Sequence, residues 1–586
     1  MWCRIRPVTR RQARLSLVFA TAGIAVLPLA WRGTSCGHDF DFHLESWMEV
    51  VRHWREGVLY PHWASSANYG AGEPRFVFYP PLSWMLGAVL GLVMPWTWTP
   101  LAFTLIALTL MGASFFRMAR EWMPENNATI AACLYVVNPY VLFVAYERAA
   151  YGELLAAAWM PLLVLWGLRA SDEEHAGSRA LKRVPFKPLL RLAVVIAGLW
   201  LTNAPAAVMG CYALAVMVAV TALTERNWAL IGRAAGGTAL GLGLAGFYLV
   251  PAIYEQRWVE IQRAIGEGMR VEDSFLFGHT GEAFHDQVLR TASWIAVAML
   301  AATMIAAVLS VRTRRRGLWL PLAVLAVVIA CLLLPFSDVV WRYAPEIRFL
   351  QFPWRWLLVL SLVVTALAGL VLGDFAPTRA ASLLRLGAVV LVAGCVGGTA
   401  WFWFWQPCDE EDNVRAQLVT FRDGGFQGTD EYTAAPADND AIQQELPQIR
   451  VVRTPEGDEA NGAAAQNPEW QTSGPDLHPD LQPSEIQIGR WDSEHMAATV
   501  RSGAGFAVLR VMDYPAWRVS LNGARVDARP KREDGLMAVP ITAGVSQIDV
   551  RYAATPDVWA GRVLSLMAAV LWIGLAVSGY HETNAS

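Results

Sequence analysis

The stretch from Arg10 to His43, RRQARLSLVFATAGIAVLPLAWRGTSCGHDFDFH, carries the signals from which the fold is read. Basic residues come first: Arg10, Arg11 and Arg14 follow Arg4 and Arg6. The apolar run Leu15–Trp31 is next, close to the roughly 20 residues an α-helix needs to cross a bilayer. Acids and histidines then gather in Gly37-His38-Asp39-Phe40-Asp41-Phe42-His43. Arginine on the entry flank, with no small-residue cleavage pattern on the exit flank, reads as an uncleaved first span entering from the cytoplasm.

The rest of the 586 residues repeats this economy. The hydrophobic fraction is 55% and the charged fraction 17%, respectively above and below the roughly 45–50% and 25% of soluble domains. A wholly soluble protein is excluded. A formal net charge of −3 gives no reason to expect nucleic acid as a partner. That near neutrality hides a split: 406–557 holds 25 Asp+Glu against 13 Lys+Arg, so the remainder is basic.

Further apolar runs fall at 99–117, 127–145, 153–169, 189–204, 205–223, 235–254, 291–310, 318–335, 354–373, 385–405 and 558–579. Positive charge is nearly all arginine, clustered at Arg117/Arg120, Arg169 to Arg191, Arg226/Arg233, Arg312 to Arg316 and Arg379/Arg385. All five clusters lie on the cytoplasmic side if Pro80–Trp98 is re-entrant or juxtamembrane, giving twelve spans; thirteen is the alternative. The fold expected is a polytopic α-helical membrane protein with a C-terminal extracytoplasmic β-sandwich-like domain before the last helix. Residues 1–405 form the transmembrane part, with outward loops 32–98, 146–152, 255–290 and 337–353. The outward domain is 406–557, and 558–586 is a last span with a short cytoplasmic tail. A multi-pass protein of a bacterial inner membrane, in contact with its lipids, fits this topology. Trp401, Trp403 and Trp405 fall where a span should leave the bilayer, as an aromatic belt would.

Within the outward domain, 406–483 is rich in Asp, Gly, Pro, Gln and Ala and reads as irregular. From 484 short alternating runs begin: Glu485–Trp491, Met496–Arg501, Phe506–Met512, Trp517–Leu521, Met537–Ile541 and Gln547–Tyr552. With the Asn522-Gly523 turn they predict antiparallel strands. Of seven cysteines, only Cys36 and Cys408 face outward, where a disulfide between them is permitted.

No P-loop, HExxH or GxSxG pattern occurs, and the glycines of Gly236–Gly246 suit helix packing. Ionisable residues are nearly absent from the middles of the spans, against a proton-coupled transporter. Charge gathers at the outer interface instead. Asp39 and His43, four apart, share a face if the turn is helical; such a pair can ligate a divalent metal ion or act as base and orienter. The plainer reading is a helix start, with Asp41 capping an amphipathic, interface-lying helix Phe42–Glu56 that ends at Gly57. A second turn, Tyr146 to Glu153, brings Glu147, Arg148 and Glu153. A third stretch, Arg348 to Trp356, places Arg348 and Arg355 at the mouth of a span, where they can hold a phosphate or simply snorkel. Arg75 is a further phosphate candidate.

With these residues the chain resembles the GT-C class of membrane glycosyltransferases, and within it the 6-pyruvoyl-tetrahydropterin synthase-related membrane proteins and YfhO-like proteins. The carriers are His38-Asp39 with Phe42-His43, Asn68-Tyr69-Gly70, Tyr79-Pro80-Pro81-Leu82, Glu147-Arg148 to Glu153, Gln351 to Arg355, Gly428-Thr429-Asp430-Glu431-Tyr432 and Tyr514 to Val519. The class implies a catalytic acid in the first outward loop, Asp39 or Asp41, and a second at Glu147 or Glu153. It also implies a polyprenyl-phosphate sugar donor, its phosphate on Arg148, Arg348, Arg355 or Arg75, and an extracytoplasmic glycan, lipid or protein acceptor. The adjacent acid pair common after the first span of such enzymes is absent, because Phe40 follows Asp39. A non-catalytic component that binds or exports lipid-linked glycans is the alternative.

Overall fold

The computed structural model describes residues 10–169, 186–266, 269–311, 317–372, 387, 394–395, 397–435, 437–442, 446–452, 485–532 and 534–584. The first apolar run is helical from Arg10 to Ala25 and again from Leu27 to Arg32. The break precedes Pro28, which has no N–H to continue the ladder. Among the described residues seven helices are long and apolar enough to cross a membrane: Trp96–Ala119, Glu125–Tyr146, Tyr151–Leu168, Ala204–Glu225, Ala283–Leu309, Pro353–Val371 and Pro556–Ser578. The molecule is a polytopic helical membrane protein with a β-sheet domain ahead of its final apolar helix.

The expected span 235–254 is broken by a bend, whereas the expected span 318–335 is helical over most of its length and bends at its end into the stretch expected to face outward. Ala229–Leu244 and Gly246–Trp258 meet at 76°, and Trp319–Leu332 meets Pro335–Tyr343 at 95°. The first bend frees backbone groups that apolar surroundings cannot satisfy, and Ser565 of the final helix takes them up. Its hydroxyl accepts the Phe247 N–H at 2.8 Å and lies 3.2 and 3.0 Å from the Gly243 and Leu244 carbonyls. Glycine permits the approach: a Cβ on Gly561 would sit 2.6 Å from the Gly246 carbonyl. Most of the expected span 385–405 lies outside the described residues. Pro81–Val93 is a 13-residue helix, about 20 Å long at 1.5 Å per residue and so short of the hydrocarbon core of about 30 Å.

The amphipathic helix runs from Phe40 to Arg55 and ends at Gly57, which adopts φ +90°. Asp39 occupies the position before its first turn but makes no capping bond, and Asp41 lies within that turn. The helix does not lie on the headgroups as expected. Trp47 and Val50 are fully buried, Trp47 against Gly87 of the Pro81–Val93 helix. The opposite face is covered too. Glu49 accepts the Ser65 hydroxyl at 2.5 Å, and Glu56 accepts the main-chain N–H of Ser493 in the β-domain at 3.0 Å. Its polar side chains found protein partners, so the helix is a wedge between the membrane part and the domain.

Among the described residues eight strands build the domain: β1 Ile449–Val452, β2 Glu485–Asp492, β3 His495–Ser502, β4 Gly505–Met512, β5 Trp517–Leu521, β6 Ala524–Val526, β7 Leu536–Ile541 and β8 Gly544–Tyr552. They form two antiparallel sheets, ordered β1-β4-β7 and β2-β3-β8-β5-β6. Val500, Val519, Ile548 and Val550 of one sheet share a core with Val508, Met537 and Val539 of the other. Asn522 and Gly523, both at positive φ, close the β5–β6 hairpin, the geometry that favours this dipeptide. The segment expected to be irregular carries a helix, Val414–Asp423, and strand β1 in its described portion; residues 453–484 lie outside the described residues.

Candidate functional site

The first and second turns are laid against each other by their main chains. The N–H groups of His38 and Asp39 donate to the carbonyls of Glu147 and Arg148 at 3.1 and 2.8 Å. Only glycine fits at the start of this contact, since a Cβ on Gly37 would lie 2.5 Å from the Glu147 carbonyl. Ser35 donates to the Tyr146 carbonyl at 2.8 Å, and a Cys36–Cys408 disulfide, Cα atoms 4.9 Å apart, ties the chain leaving the membrane to the same place.

This zipper sets the charged groups. Arg148, whose side chain is 5% exposed, donates to Asp39 Oδ2 at 3.0 Å and to Glu153 Oε2 at 2.5 Å. The Tyr140 hydroxyl donates to the other Glu153 oxygen at 2.6 Å. Asp39 Oδ1 meets His38 Nδ1 at 3.0 Å. Burial would raise the Asp39 pKa, but the Arg148 guanidinium and His38 outweigh it and hold the carboxyl well below the usual carboxylate range. Trp354 lies under the Arg148 guanidinium, 4.9 Å from Cζ, and Phe352 lies 5.1 Å from Cζ of Arg355. Arg355 makes no ion pair among the described residues, and its buried Nε has no hydrogen-bond partner.

These groups open into one cavity of about 1080 Å³. One wall is polar: His38, Asp39, Arg148, Glu153, His285 and Arg355. Another is apolar and made of helix surface: Val208, Ala239, Leu242, Leu249, Ile253 and Leu564, from the Ala204–Glu225 helix, the bent pair and the final helix. Thr429, Glu431 and Tyr432 reach in from the segment that leads to the β-domain. Gln351, also in the lining, holds φ +62° and donates to the Ala264 carbonyl at 2.6 Å. Such a conformation costs a non-glycine residue of order 1–3 kcal/mol and persists only where its surroundings impose it.

Of the residues singled out in the sequence, Asp39, His43, Arg148, Glu153 and Arg355 line this cavity, and Asp41, Glu147, Arg75 and Arg348 do not. The Asp41 carboxyl is pushed up to about 6 by burial and by Asp412. Glu147 contributes its carbonyl to the zipper, while burial raises its carboxyl to about 8. Arg75, 1% exposed, donates to Glu73 at 2.6 Å and to Thr429 at 3.3 Å, and lies 3.6 Å from Glu45. It is a clamp between the first loop and the segment entering the β-domain. Arg348 lies against its neighbour Phe349.

The Asp39–His43 pair does not make a metal site. The Asp39 oxygens are engaged by Arg148 and His38, and the His43 ring lies among Phe42, Tyr79 and Tyr151. Burial, with Arg148 and Arg75 nearby, lowers the His43 pKa to about 4 despite Asp39. Among the described residues no group of three or more His, Cys, Asp or Glu could hold a metal ion. Tyr140 and His285 escaped the sequence reading: a tyrosine inside an apolar run and a histidine in a polar loop carry no pattern of their own. Glu431 and Tyr432 were visible within Gly428–Tyr432, but nothing in that motif assigned them to the same cavity.

No protein-family model matches the sequence, and no curated protein matches it. Among solved structures the chain is similar to the arabinofuranosyltransferase AftD from Mycobacteria, at 18% identity over 70% of this chain and 28% of that one, with a TM-score of 0.43. The Archaeoglobus fulgidus oligosaccharyltransferase in the apo form matches at 13% identity over 75% of this chain and 61% of that one, TM-score 0.45. ArnT from Cupriavidus metallidurans bound to undecaprenyl phosphate matches at 14% identity over 66% and 64%, TM-score 0.41. The chain thus spans less than two thirds of the length of each.

Proposed function

We propose that the chain is a membrane glycosyltransferase of GT-C type, which moves a sugar from a polyprenyl-phosphate donor to an extracytoplasmic acceptor. The observation that carries this reading is Arg355. A guanidinium with no ion-pair partner among the described residues, lining a cavity beside a second arginine, is stabilised when an anion arrives, and its fork suits phosphate oxygens. The apolar wall beside it has the chemistry of a polyprenyl tail. A ligand with an anionic head and a long hydrocarbon chain satisfies both halves at once.

In the reaction the acceptor oxygen bonds to the anomeric carbon as the bond from that carbon to the phosphate oxygen breaks. The bonding pair leaves with the polyprenyl phosphate, whose charge grows from one to two negative units. Arg148 and Arg355 stabilise that growth, an electrostatic contribution that depends on prior positioning. Asp39 and Glu153 supply this positioning by holding Arg148 from two sides. Asp39, doubly engaged and held strongly acidic, is better suited to orienting the guanidinium than to accepting a proton.

The test uses the full chain in phosphatidylethanolamine–phosphatidylglycerol nanodiscs with decaprenyl phosphate, and with its mannosyl, glucosyl, galactosyl and arabinofuranosyl derivatives in the presence of methyl glycosides as acceptors. The wild type binds decaprenyl phosphate and releases it from one of the sugar derivatives. Arg355→Ala weakens binding by about 10-fold or more, the scale of a charged hydrogen bond. Binding without release in all four cases would favour a carrier of lipid-linked glycans instead; equal binding by Arg355→Ala would remove the phosphate reading.

A further inference from the structure

Among the described residues four carboxylates line the cavity: Asp39, Glu153, Glu346 and Glu431. Asp39 and Glu153 are both committed to Arg148, with His38 and Tyr140 on their remaining oxygens. Protonating either would break a charge-assisted pair. Glu346 belongs to an exposed turn at the rim. Glu431 differs from all three.

It lies in the turn Asp430–Tyr432, and the residues on either side of it are fixed. Upstream, the Thr429 N–H donates to Glu73 at 2.7 Å and the Thr429 hydroxyl accepts from Arg75 at 3.3 Å. Gly428 presses on Asn68 so closely that a Cβ would lie 1.9 Å from its Oδ1. Asp430 accepts from Asn439 at 3.4 Å. Downstream, the Tyr432 ring stacks on Phe78 at 5.5 Å. Glu431, held between anchored neighbours, lines the cavity. The charged groups facing it are Glu73, Asp430 and Arg75, and Arg75 is already bonded to Glu73. Tyr79 lines the same cavity, its ring packed against Phe42 and His43.

We propose that Glu431 is the general base that takes the proton of the acceptor hydroxyl, so that the segment leading to the β-domain supplies the acceptor half of the site. This rests on the transferase reading. As the acceptor oxygen bonds to the anomeric carbon, its proton passes to the Glu431 carboxylate; the electron pair of the broken bond goes to the phosphate held by Arg148 and Arg355. Solvent takes the proton when the products leave. Burial raises the Glu431 carboxyl to about 7, with Glu73 and Asp430 adding to the effect of burial, which matches a base that must gain and lose a proton near neutrality.

The experiment follows decaprenyl-phosphate release from the four sugar derivatives, in nanodiscs, with methyl glycosides as acceptors. Wild-type kcat/KM is expected to fall about tenfold per pH unit below roughly pH 7, as a base is lost to protonation. Glu431→Gln is expected to lose about 100-fold or more in kcat while binding decaprenyl phosphate, without sugar, within about twofold of wild type. Glu431→Asp should recover part of the rate and move the acidic limb to lower pH. A wild-type profile flat from roughly pH 5.5 to 8, or a folded Glu431→Gln within about threefold of the wild-type rate, would overturn the assignment and leave the transferase reading standing. A wild type that consumes none of the four donors would overturn the transferase reading, and this inference with it. If Glu431→Gln fails to bind decaprenyl phosphate, the wild-type profile alone decides.

Discussion

Asp39 and Arg148 are joined twice: the Asp39 main-chain N–H donates to the Arg148 carbonyl at 2.8 Å, and Arg148 Nη2 donates back to Asp39 Oδ2 at 3.0 Å. The backbone bond fixes where the two residues stand, and the side-chain bond fixes where the guanidinium points. An arginine held in this way need not reorganise when charge develops on a phosphate, which is where electrostatic catalysis gains most.

Removing the negative charge of Asp39 tests that reading. In Asp39→Asn the main-chain zipper persists, so the melting temperature should stay within a few degrees of wild type. Arg148 keeps Glu153 but loses one restraint. Turnover is expected to drop by about 100-fold, in line with loss of one preorganised group, with decaprenyl-phosphate binding reduced far less. Full activity would remove Asp39 from the mechanism.

Gly37→Ala probes the backbone instead. The new methyl would meet the Glu147 and Tyr146 carbonyls at 2.5 and 2.6 Å, so the turns must part. The expected cost is about 1–3 kcal/mol, read as a lower thermal midpoint, together with loss of turnover although no charged group has changed.

Glu147 gives a pH signature. Its carboxyl, raised by burial to about 8, is neutral in the folded protein over a range where the unfolded chain ionises it, above about 4.3. The folded state therefore binds the extra proton. The stability this group contributes is complete below the unfolded value and declines as pH rises toward 8. Glu147→Gln should leave stability unchanged near pH 4 and raise it increasingly up to pH 8, with turnover retained because the carboxyl does not line the cavity.

Arg75 should behave as a structural arginine. Arg75→Met strands Glu73, whose side chain is fully buried. Breaking such a pair typically costs about 3–5 kcal/mol. Decaprenyl-phosphate affinity, measured on the fraction that remains folded, should be unchanged. A selective loss of affinity would return Arg75 to the phosphate site.

Much of this molecule is written in local sequence. The six strand runs expected between Glu485 and Tyr552 fall on observed strands within a few residues, because alternation along a chain reports directly on a half-buried sheet. The short β6 and the distant β1 were missed, being too brief to show a period. The helix Phe40–Arg55 was legible by its stripe, but its surroundings were not. Glu49 and His53, fully buried, look like a solvated face until the β-domain is placed over them. The bend before Gly246 illustrates the same limit, since the packing of Ser565 from the final helix takes up the backbone groups that the broken ladder frees.

By itself the sequence determined which segments are apolar enough for a bilayer, where the charged turns lie between them, and that a β-rich unit precedes the last helix. These properties depend on windows of a few to about 20 residues, where hydrophobicity and period act locally. Only the tertiary structure decided that Asp39 meets an arginine 109 residues away, that Arg75 is a clamp while Arg355 faces the cavity, and that Glu431 shares that cavity. Each of those outcomes turns on how helices and loops from distant parts of the chain pack. A close approach such as that at Gly37 is recorded in one residue of sequence, but its partner is chosen by the fold.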